Sequence, residues 1–208
     1  MYKTVVFDLD GTLLNTLTDL ADAGNRLCRK YGWPTHERQA YRYFVGNGIP
    51  KLVERLAPAD RRTPAVLEAA LADFKRDYGQ HLRDTTAPYP GIPEMLAKLK
   101  ANGVQLAVFS NKADALAKEV VKDYFGTQYF TIVRGQMTGV APKPAAEGTN
   151  ALLQALHADP ASTLYVGDSN VDVETAHNAN LPCCGAVWGF RTREELNAAG
   201  AEYLAENS

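Results

Sequence analysis

Residues 4–12 read Thr-Val-Val-Phe-Asp-Leu-Asp-Gly-Thr, and this stretch decides the fold. Its first four residues are β-branched or aromatic without polar alternation, which predicts a short strand buried on both faces of a parallel sheet. Asp8 and Asp10 follow two positions apart, so both side chains leave an extended segment on the same side. Gly11 allows the backbone to turn close to a ligand. The stretch therefore predicts a buried strand that ends in two carboxylates.

The segment after this strand, residues 15–88, has helical periodicity and no strand pattern. Thr16 and Asp19 resemble a capping box at the start of the first helix, and Pro64 occupies the first turn of the last one. The predicted helices begin near Leu17 and then cover residues 37–45, 50–57 and 64–82. We therefore expect an all-helical domain inserted after the first strand.

From Pro88-Tyr89-Pro90-Gly91 onward the pattern changes to alternating helices and strands. The expected helices cover 92–102, 113–124, 145–157 and 171–179, and the strands 104–109, 129–133, 163–167 and 183–187. Such alternation is typical of a parallel sheet with helices on both faces. The predicted fold class is thus α/β, with a Rossmann-like core formed by residues 1–14 and 89–208 and a helical insertion at 15–88.

The composition argues against several classes of protein. The chain has 208 residues, 46% of them hydrophobic, and a formal net charge of −2, which argues against a partner that is a nucleic acid. No apolar run approaches the roughly 20 residues that a membrane span needs. The cysteines Cys28, Cys183 and Cys184 form no even framework, so we expect reduced thiols and a cytoplasmic protein. The insertion holds 12 Lys/Arg against 9 Asp/Glu, a mildly positive balance.

Ligands of open parallel sheets bind beyond the carboxyl ends of the strands, so the polar residues at those ends are the candidate site. Besides Asp8, Asp10 and Thr12 they are Ser110, Asn111, Lys143, Asp168, Ser169 and Asp172. Clustered carboxylates repel one another unless a cation compensates, and a donor set made of oxygen atoms alone suits Mg²⁺. A carboxylate beside Mg²⁺ and a lysine can attack a phosphoryl group.

The motifs Asp8-Leu9-Asp10-Gly11-Thr12, Ser110-Asn111, Lys143 and Gly167-Asp168-Ser169-Asn170-Val171-Asp172 resemble, in order, the four motifs of the haloacid dehalogenase superfamily. The helical insertion resembles its small helical cap. The resemblance implies that Asp8 is the nucleophile, forming an aspartyl phosphate, and that Asp10 acts as general acid and then base. It also implies hydrolysis or transfer of phosphate esters, because the dehalogenases proper usually lack an acid at the position of Asp10.

The same resemblance implies the other roles in the site. Ser110, Lys143 and the backbone of Asn111 would hold the phosphoryl oxygens. Mg²⁺ would be bound by Asp8, the Asp10 carbonyl and Asp168. Thr12 would position Asp10. Ser169 and Asp172 would support the residues that contact the metal or the substrate, Asp172 by holding Lys143 or the waters bound to the metal.

Two further stretches, Val45–Val53 and Val187–Phe190, most resemble the phosphoglycolate phosphatase family. We expect Gly46, Asn47, Gly48 and Lys51 to approach the far end of an anionic substrate, although the loop could equally be a simple connection between helices. The expected partner is a small phosphorylated metabolite, and the expected assembly is a monomer or homodimer. A sugar phosphomutase, another small-molecule phosphatase and a non-catalytic phospho-acceptor switch remain alternatives.

Overall fold

The computed structural model describes all 208 residues, and the chain divides into two compact units. The first consists of Met1–Leu14 and Pro88–Ser208, and the second of Asn15–Ala87. No helix is both long and apolar enough to cross a membrane. Each unit is described in turn.

The first unit is a parallel sheet with helices around it. In chain order its strands are β1 (Thr4–Phe7), β4 (Gln105–Ala113), β5 (Phe130–Gln136), β6 (Thr163–Gly167), β7 (Cys183–Ala186) and β8 (Tyr203–Ala205). Its helices are α5 (Ile92–Ala101), α6 (Asp114–Phe125), α7 (Ala146–Leu156), α8 (Asn170–Asn178) and α9 (Arg193–Ala198). This arrangement confirms the predicted α/β fold class.

All neighbours in the six-stranded sheet are parallel, and the strand order is β5-β4-β1-β6-β7-β8. The residues of β1 are buried throughout, as its apolar run predicts. Val5 pairs with Leu106 of β4 on one side and with Leu164 of β6 on the other. Because β1 lies between β4 and β6, the carboxyl ends of these three strands are adjacent. The motifs that follow them are therefore brought together.

The second unit is built from four helices, α1 (Leu17–Tyr31), α2 (Arg38–Phe44), α3 (Ile49–Leu56) and α4 (Pro64–His81). Its core includes Leu20, Tyr41, Leu52, Phe74 and Tyr78, each at most 3% exposed. Phe74 and Tyr78 lie one helical turn apart on α4 and, together with Ala70, form its buried face. Two short strands, β2 (Leu14–Asn15) and β3 (Ala87–Pro88), form a separate sheet.

Several elements differ from the sequence prediction. Strands were not expected at Asn15 and at Ala87–Pro88, and α9 and β8 were not predicted, because segments this short carry little periodicity. Strand β4 continues to Ala113 instead of ending at residue 109, with an irregular register between Phe109 and Ala113. The expected capping box is wrong: Thr16 makes no side-chain cap, and Asp19 accepts hydrogen bonds from Thr85 and Thr86 instead.

Candidate active site

The nucleophile expected from sequence lies at the carboxyl end of the central strand. Asp8 donates its backbone N–H to the Val166 carbonyl at 2.9 Å, which continues the pairing of β1 with β6. Its side chain is buried, and Oδ1 lies 2.8 Å from Lys143 Nζ without the alignment of a hydrogen bond. Asp10 is less buried, and its carboxylate faces a different cation, Lys112.

Strand β4 brings three consecutive polar residues to the site, Ser110, Asn111 and Lys112, all buried. The Ser110 hydroxyl accepts a hydrogen bond from the Lys112 backbone N–H at 3.3 Å. The ammonium of Lys112 donates to both carboxylate oxygens of Asp10, at 2.9 and 3.0 Å. Lys112 was not among the predicted site residues. Its spacing of two from Ser110 in an extended segment was the available signal, because alternate residues of a strand share a face.

Lys143 is held in place by the Asn111 side chain. Asn111 Oδ1 accepts from the Lys143 backbone N–H at 2.8 Å, and Asn111 Nδ2 donates to the Lys143 carbonyl at 3.3 Å. The peptide bond between Lys143 and Pro144 is cis. Asn111 therefore anchors the loop that carries Lys143, a contact that the sequence could not reveal because 32 residues separate the two.

The Lys143 ammonium is the centre of the buried network. It lies 2.7 Å from Asp172 Oδ1 and 2.8 Å from Asp8 Oδ1, and its side chain is 2% exposed. It also donates to the Tyr165 hydroxyl at 3.3 Å and to the Phe109 carbonyl at 3.4 Å. Lys143 thus stands between two carboxylates at the meeting point of β1, β4 and β6. The contact between Lys143 and Tyr165 was, like that with Asn111, not predicted from the sequence.

The segment after β6 supplies the remaining acids. Asp168 Oδ1 accepts from the Thr12 hydroxyl at 3.1 Å, and Asp168 Oδ2 accepts from the Phe190 backbone N–H at 2.7 Å. The Thr12 hydroxyl therefore contacts Asp168, whereas the family resemblance implied that Thr12 would position Asp10. Ser169 and Asp172 form a capping box at the start of α8, in which the Ser169 backbone N–H donates to Asp172 Oδ2 at 3.1 Å. The Ser169 hydroxyl also donates to Asp172 Oδ2, at 2.6 Å.

The charges of the cluster are unbalanced. Candidate ligand atoms of Asp8, Asp168 and Asp172 lie within 4.8 Å of one another, and all three residues are buried. Burial raises the pKa of Asp8 to about 7, although Lys143 opposes the shift. Burial, Asp172 and Asp8 together raise the pKa of Asp168 well above its usual value. Burial lowers the pKa of Lys143, but Asp172 and Asp8 outweigh it and hold that pKa above the usual value.

These residues fit a divalent cation. The donor set consists of oxygens, Asp8 Oδ1 is buried with no contact to a polar group besides its ion pair with Lys143, and that ammonium contacts only two of the three clustered carboxylates. Each carboxylate oxygen of Asp172 has two contacts, Oδ1 with the Lys143 ammonium and the Tyr165 hydroxyl and Oδ2 with the backbone N–H and hydroxyl of Ser169. Each carboxylate oxygen of Asp168 accepts a single hydrogen bond. Asp8 and Asp168 are therefore better placed than Asp172 to bind an ion directly. The role of Asp172 is to hold Lys143.

The loop residues Gly46, Asn47, Gly48 and Lys51 all belong to the helical unit. Asn47 Oδ1 accepts from Arg55 at 2.8 Å, which ties the loop to α3. Lys51 is exposed and forms an ion pair with Glu54 at 2.8 Å on the same helix. Gly46 and Gly48 have φ values of +113° and +82°, in the region that favours glycine.

Comparison with known proteins identifies the family of the chain. A family model described as haloacid dehalogenase-like hydrolase matches residues 5–186. The chain is a haloacid dehalogenase-like hydrolase. This membership confirms the family resemblance seen in the four motifs, which all lie inside the matched region.

Relatives of this haloacid dehalogenase-like hydrolase include several phosphoglycolate phosphatases. The chain is 31% identical to the one from Thiobacillus denitrificans, covering 90% of this chain and 84% of the relative. It is 33% identical to the one from Neisseria meningitidis, covering 90% and 81%. A crystal structure of a provisionally assigned phosphoglycolate phosphatase from Lactobacillus delbrueckii matches with a TM-score of 0.93 at 28% identity, covering 99% and 95%. The predicted enzyme class, a phosphatase of the haloacid dehalogenase type, is confirmed.

Proposed function

We propose that the protein hydrolyses a small phosphomonoester through an aspartyl phosphate on Asp8, with Mg²⁺ as cofactor. The observation that carries the proposal is the buried row formed by Asp8, Lys143 and Asp172 at the carboxyl ends of the central strands. A carboxylate held 2.8 Å from an ammonium can approach an anionic phosphoryl group, because the ammonium offsets the repulsion between the two anions.

In the first step an Asp8 carboxylate oxygen attacks phosphorus while the bond from phosphorus to the ester oxygen breaks. The electron pair of that bond goes to the leaving oxygen, which takes a proton from Asp10. In the second step water attacks phosphorus, Asp10 takes the proton, and the bond to Asp8 breaks to release phosphate. Ser110, Lys143 and the Asn111 backbone would hold the phosphoryl oxygens.

Asp8, the Asp10 carbonyl and Asp168 would hold Mg²⁺, which supplies positive charge that neutralises the phosphoryl oxygens. Thr12 and Ser169 support this arrangement through their hydrogen bonds to Asp168 and Asp172. Lys112 donates to both oxygens of the Asp10 carboxylate and so fixes the position of this side chain, which gives up its proton in the first step and takes one in the second.

Phosphoglycolate is the substrate that the relatives favour, since curated phosphatases about 30% identical to this chain are named for it. We propose that the helical unit acts as the cap and that Gly46, Asn47, Gly48 and Lys51 contact the carboxylate end of the substrate. Lys51 would exchange its exposed ion pair with Glu54 for the substrate. The three free cysteines support a reducing compartment, the cytoplasm.

The test is phosphate release from a panel of phosphoglycolate, sugar phosphates, nucleotides and pyrophosphate. We expect release in Mg²⁺, with Asp8→Asn reducing kcat by at least about 10⁴-fold because the nucleophile is removed. Asp60→Asn is the matched control, since Asp60 is exposed in the helical unit. Full activity of Asp8→Asn would refute the mechanism.

The alternatives give other products in the same panel. A sugar phosphomutase would convert a sugar phosphate into its isomer without releasing phosphate. A phospho-acceptor switch would keep its aspartyl phosphate far longer than one turnover. Lys51→Ala tests the specificity loop separately, because an unchanged kcat/KM for phosphoglycolate would exclude that contact.

A further inference from the structure

The segment Trp188–Phe190, which follows β7, closes a ring of hydrogen bonds around Asp168. Trp188 Nε1 donates to the Thr12 carbonyl at 3.0 Å, and the Phe190 backbone N–H donates to Asp168 Oδ2 at 2.7 Å. The Thr12 hydroxyl donates to Asp168 Oδ1 at 3.1 Å and completes the ring. Three distant parts of the chain are thereby joined at one carboxylate.

Between Trp188 and Phe190 lies Gly189, where there is no room for a side chain. A Cβ added to Gly189 would lie 2.2 Å from the Asp168 Cβ and 2.5 Å from the Gly11 carbonyl. A Cβ added to Gly11 would lie 2.3 Å from Asp168 Oδ2. The Asp168 side chain is therefore enclosed by two glycines, and for Gly189 the requirement comes from space, since its φ is not in the left-handed region.

The ring determines where the Asp168 carboxylate can point. Each oxygen of this carboxylate accepts one hydrogen bond from the ring, and each has further lone pairs for another partner. The contacts of the segment thus converge on one candidate ligand and on the loop that carries Asp8 and Asp10. The Trp188 indole and the Phe190 backbone N–H both donate to this cluster, whereas the Gly189 backbone N–H donates to the Ala186 carbonyl and closes the turn after β7.

We propose that Trp188, Gly189 and Phe190 are positioning residues of the cation site, which orient Asp168 and hold the Thr12 backbone against it. The proposal rests on the cation of the proposed function and deepens it. Hydrogen-bond partners that orient metal ligands are worth about 10–100-fold in metal affinity. The segment therefore acts on cation binding without touching the substrate.

The test measures Mn²⁺ binding without substrate, by the electron paramagnetic resonance signal of the free ion, with Mg²⁺ as competitor. We expect Gly189→Ala to weaken Mn²⁺ binding by about 10–100-fold, because the new Cβ displaces Asp168. Trp188→Phe keeps an aromatic side chain but removes the indole N–H that donates to Thr12. We expect this variant to bind Mn²⁺ about 3–10-fold more weakly than the wild type. Gly79→Ala and Trp33→Phe, both in the helical unit, are the matched controls and should bind Mn²⁺ like the wild type.

Two further readouts separate positioning from a general loss of structure. In EDTA the midpoint of urea unfolding should be nearly the same for Trp188→Phe and the wild type. At saturating Mg²⁺, kcat of Trp188→Phe should return to near the wild-type value, with only the Mg²⁺ requirement raised. If Gly189→Ala does not fold, the Mn²⁺ affinity of Trp188→Phe alone tests the positioning role.

Wild-type Mn²⁺ affinity in Trp188→Phe, together with wild-type affinity in any folded Gly189→Ala, would overturn the positioning role. A wild-type protein that binds no Mn²⁺ would overturn both this role and the cation of the proposed function. Mn²⁺ binding that is weakened in the variants, in a protein that releases no phosphate from the panel, would support the positioning role while refuting the proposed substrate class.

Discussion

At the residue scale, the contacts that matter most connect positions far apart in the chain. The family motifs identify Asp8, Lys143 and Asp168, but not that Asn111 anchors Lys143 or that Lys112 pairs with Asp10. Such pairs depend on which loops meet above the sheet. A sequence without an alignment contains residue types and local spacing, and neither specifies a partner 30 or 100 residues away.

The Lys112 contact leads to a prediction for catalysis. Lys112→Met should lower kcat for an alkyl phosphate such as phosphoglycolate by about 10–100-fold, because Asp10 is no longer held in line with the leaving oxygen. The loss should be smaller for p-nitrophenyl phosphate, whose leaving group needs no proton. Both rates are measured by steady-state kinetics at saturating Mg²⁺.

The control for this variant is Lys118→Met, which removes an exposed lysine paired with Asp114 on α6. It should leave both rates unchanged. Equal losses for the two substrates in Lys112→Met would contradict the positioning of the proton donor and indicate a general defect.

At the scale of the elements, Asp19 shows how a local interpretation fails. Thr16 and Asp19 have the spacing of a capping box, yet Asp19 is 2% exposed and accepts four hydrogen bonds from the backbone and hydroxyl groups of Thr85 and Thr86, at 2.5 to 2.9 Å. The four donors offset the cost of burying this carboxylate, which an exposed cap would not incur. The start of α1 is thereby joined to the segment after α4.

Asp19→Ala should therefore destabilise the protein. We expect a loss of at least about 3 kcal/mol, since hydrogen bonds to charged groups contribute about 1.5–3 kcal/mol each and the Thr86 donors remain buried. Asp19→Asn should cost less because it keeps one acceptor. Urea unfolding measures the stability of both variants. The control is Asp22→Ala, because Asp22 is exposed on the same helix, and its free energy of unfolding should stay within about 0.5 kcal/mol of the wild type. A wild-type midpoint for Asp19→Ala would show that these hydrogen bonds contribute no net stability.

At the scale of the whole molecule, the surplus of buried negative charge makes stability depend on pH and on metal. Burial raises the pKa of Asp8 from 3.8 to about 7 in the metal-free protein. Between these values the folded state binds more protons than the unfolded state, so stability falls as pH rises. A divalent cation favours the ionised carboxylates and opposes this loss.

In EDTA, the free energy of unfolding of the wild type should therefore decrease from about pH 5 to pH 7 relative to Asp8→Asn, which lacks the titrating group. Adding Mg²⁺ at pH 7 should stabilise the wild type, by about 2.7 kcal/mol at 100 times its Kd, and stabilise Asp168→Asn less. Urea titrations at each pH give these values. Parallel curves for wild type and Asp8→Asn would contradict the shifted pKa of Asp8.

The sequence by itself determined the fold class and the family, because both depend on local signals. A buried apolar run followed by Asp-x-Asp-Gly-Thr, and the alternation of helices and strands after Pro88, need no knowledge of distant contacts. Only the tertiary structure decided which partner each polar group takes. Thr12 contacts Asp168, Lys112 contacts Asp10, and Trp188 contacts Thr12 because the order of strands in the sheet brings these loops together, and that proximity is a property of the folded chain.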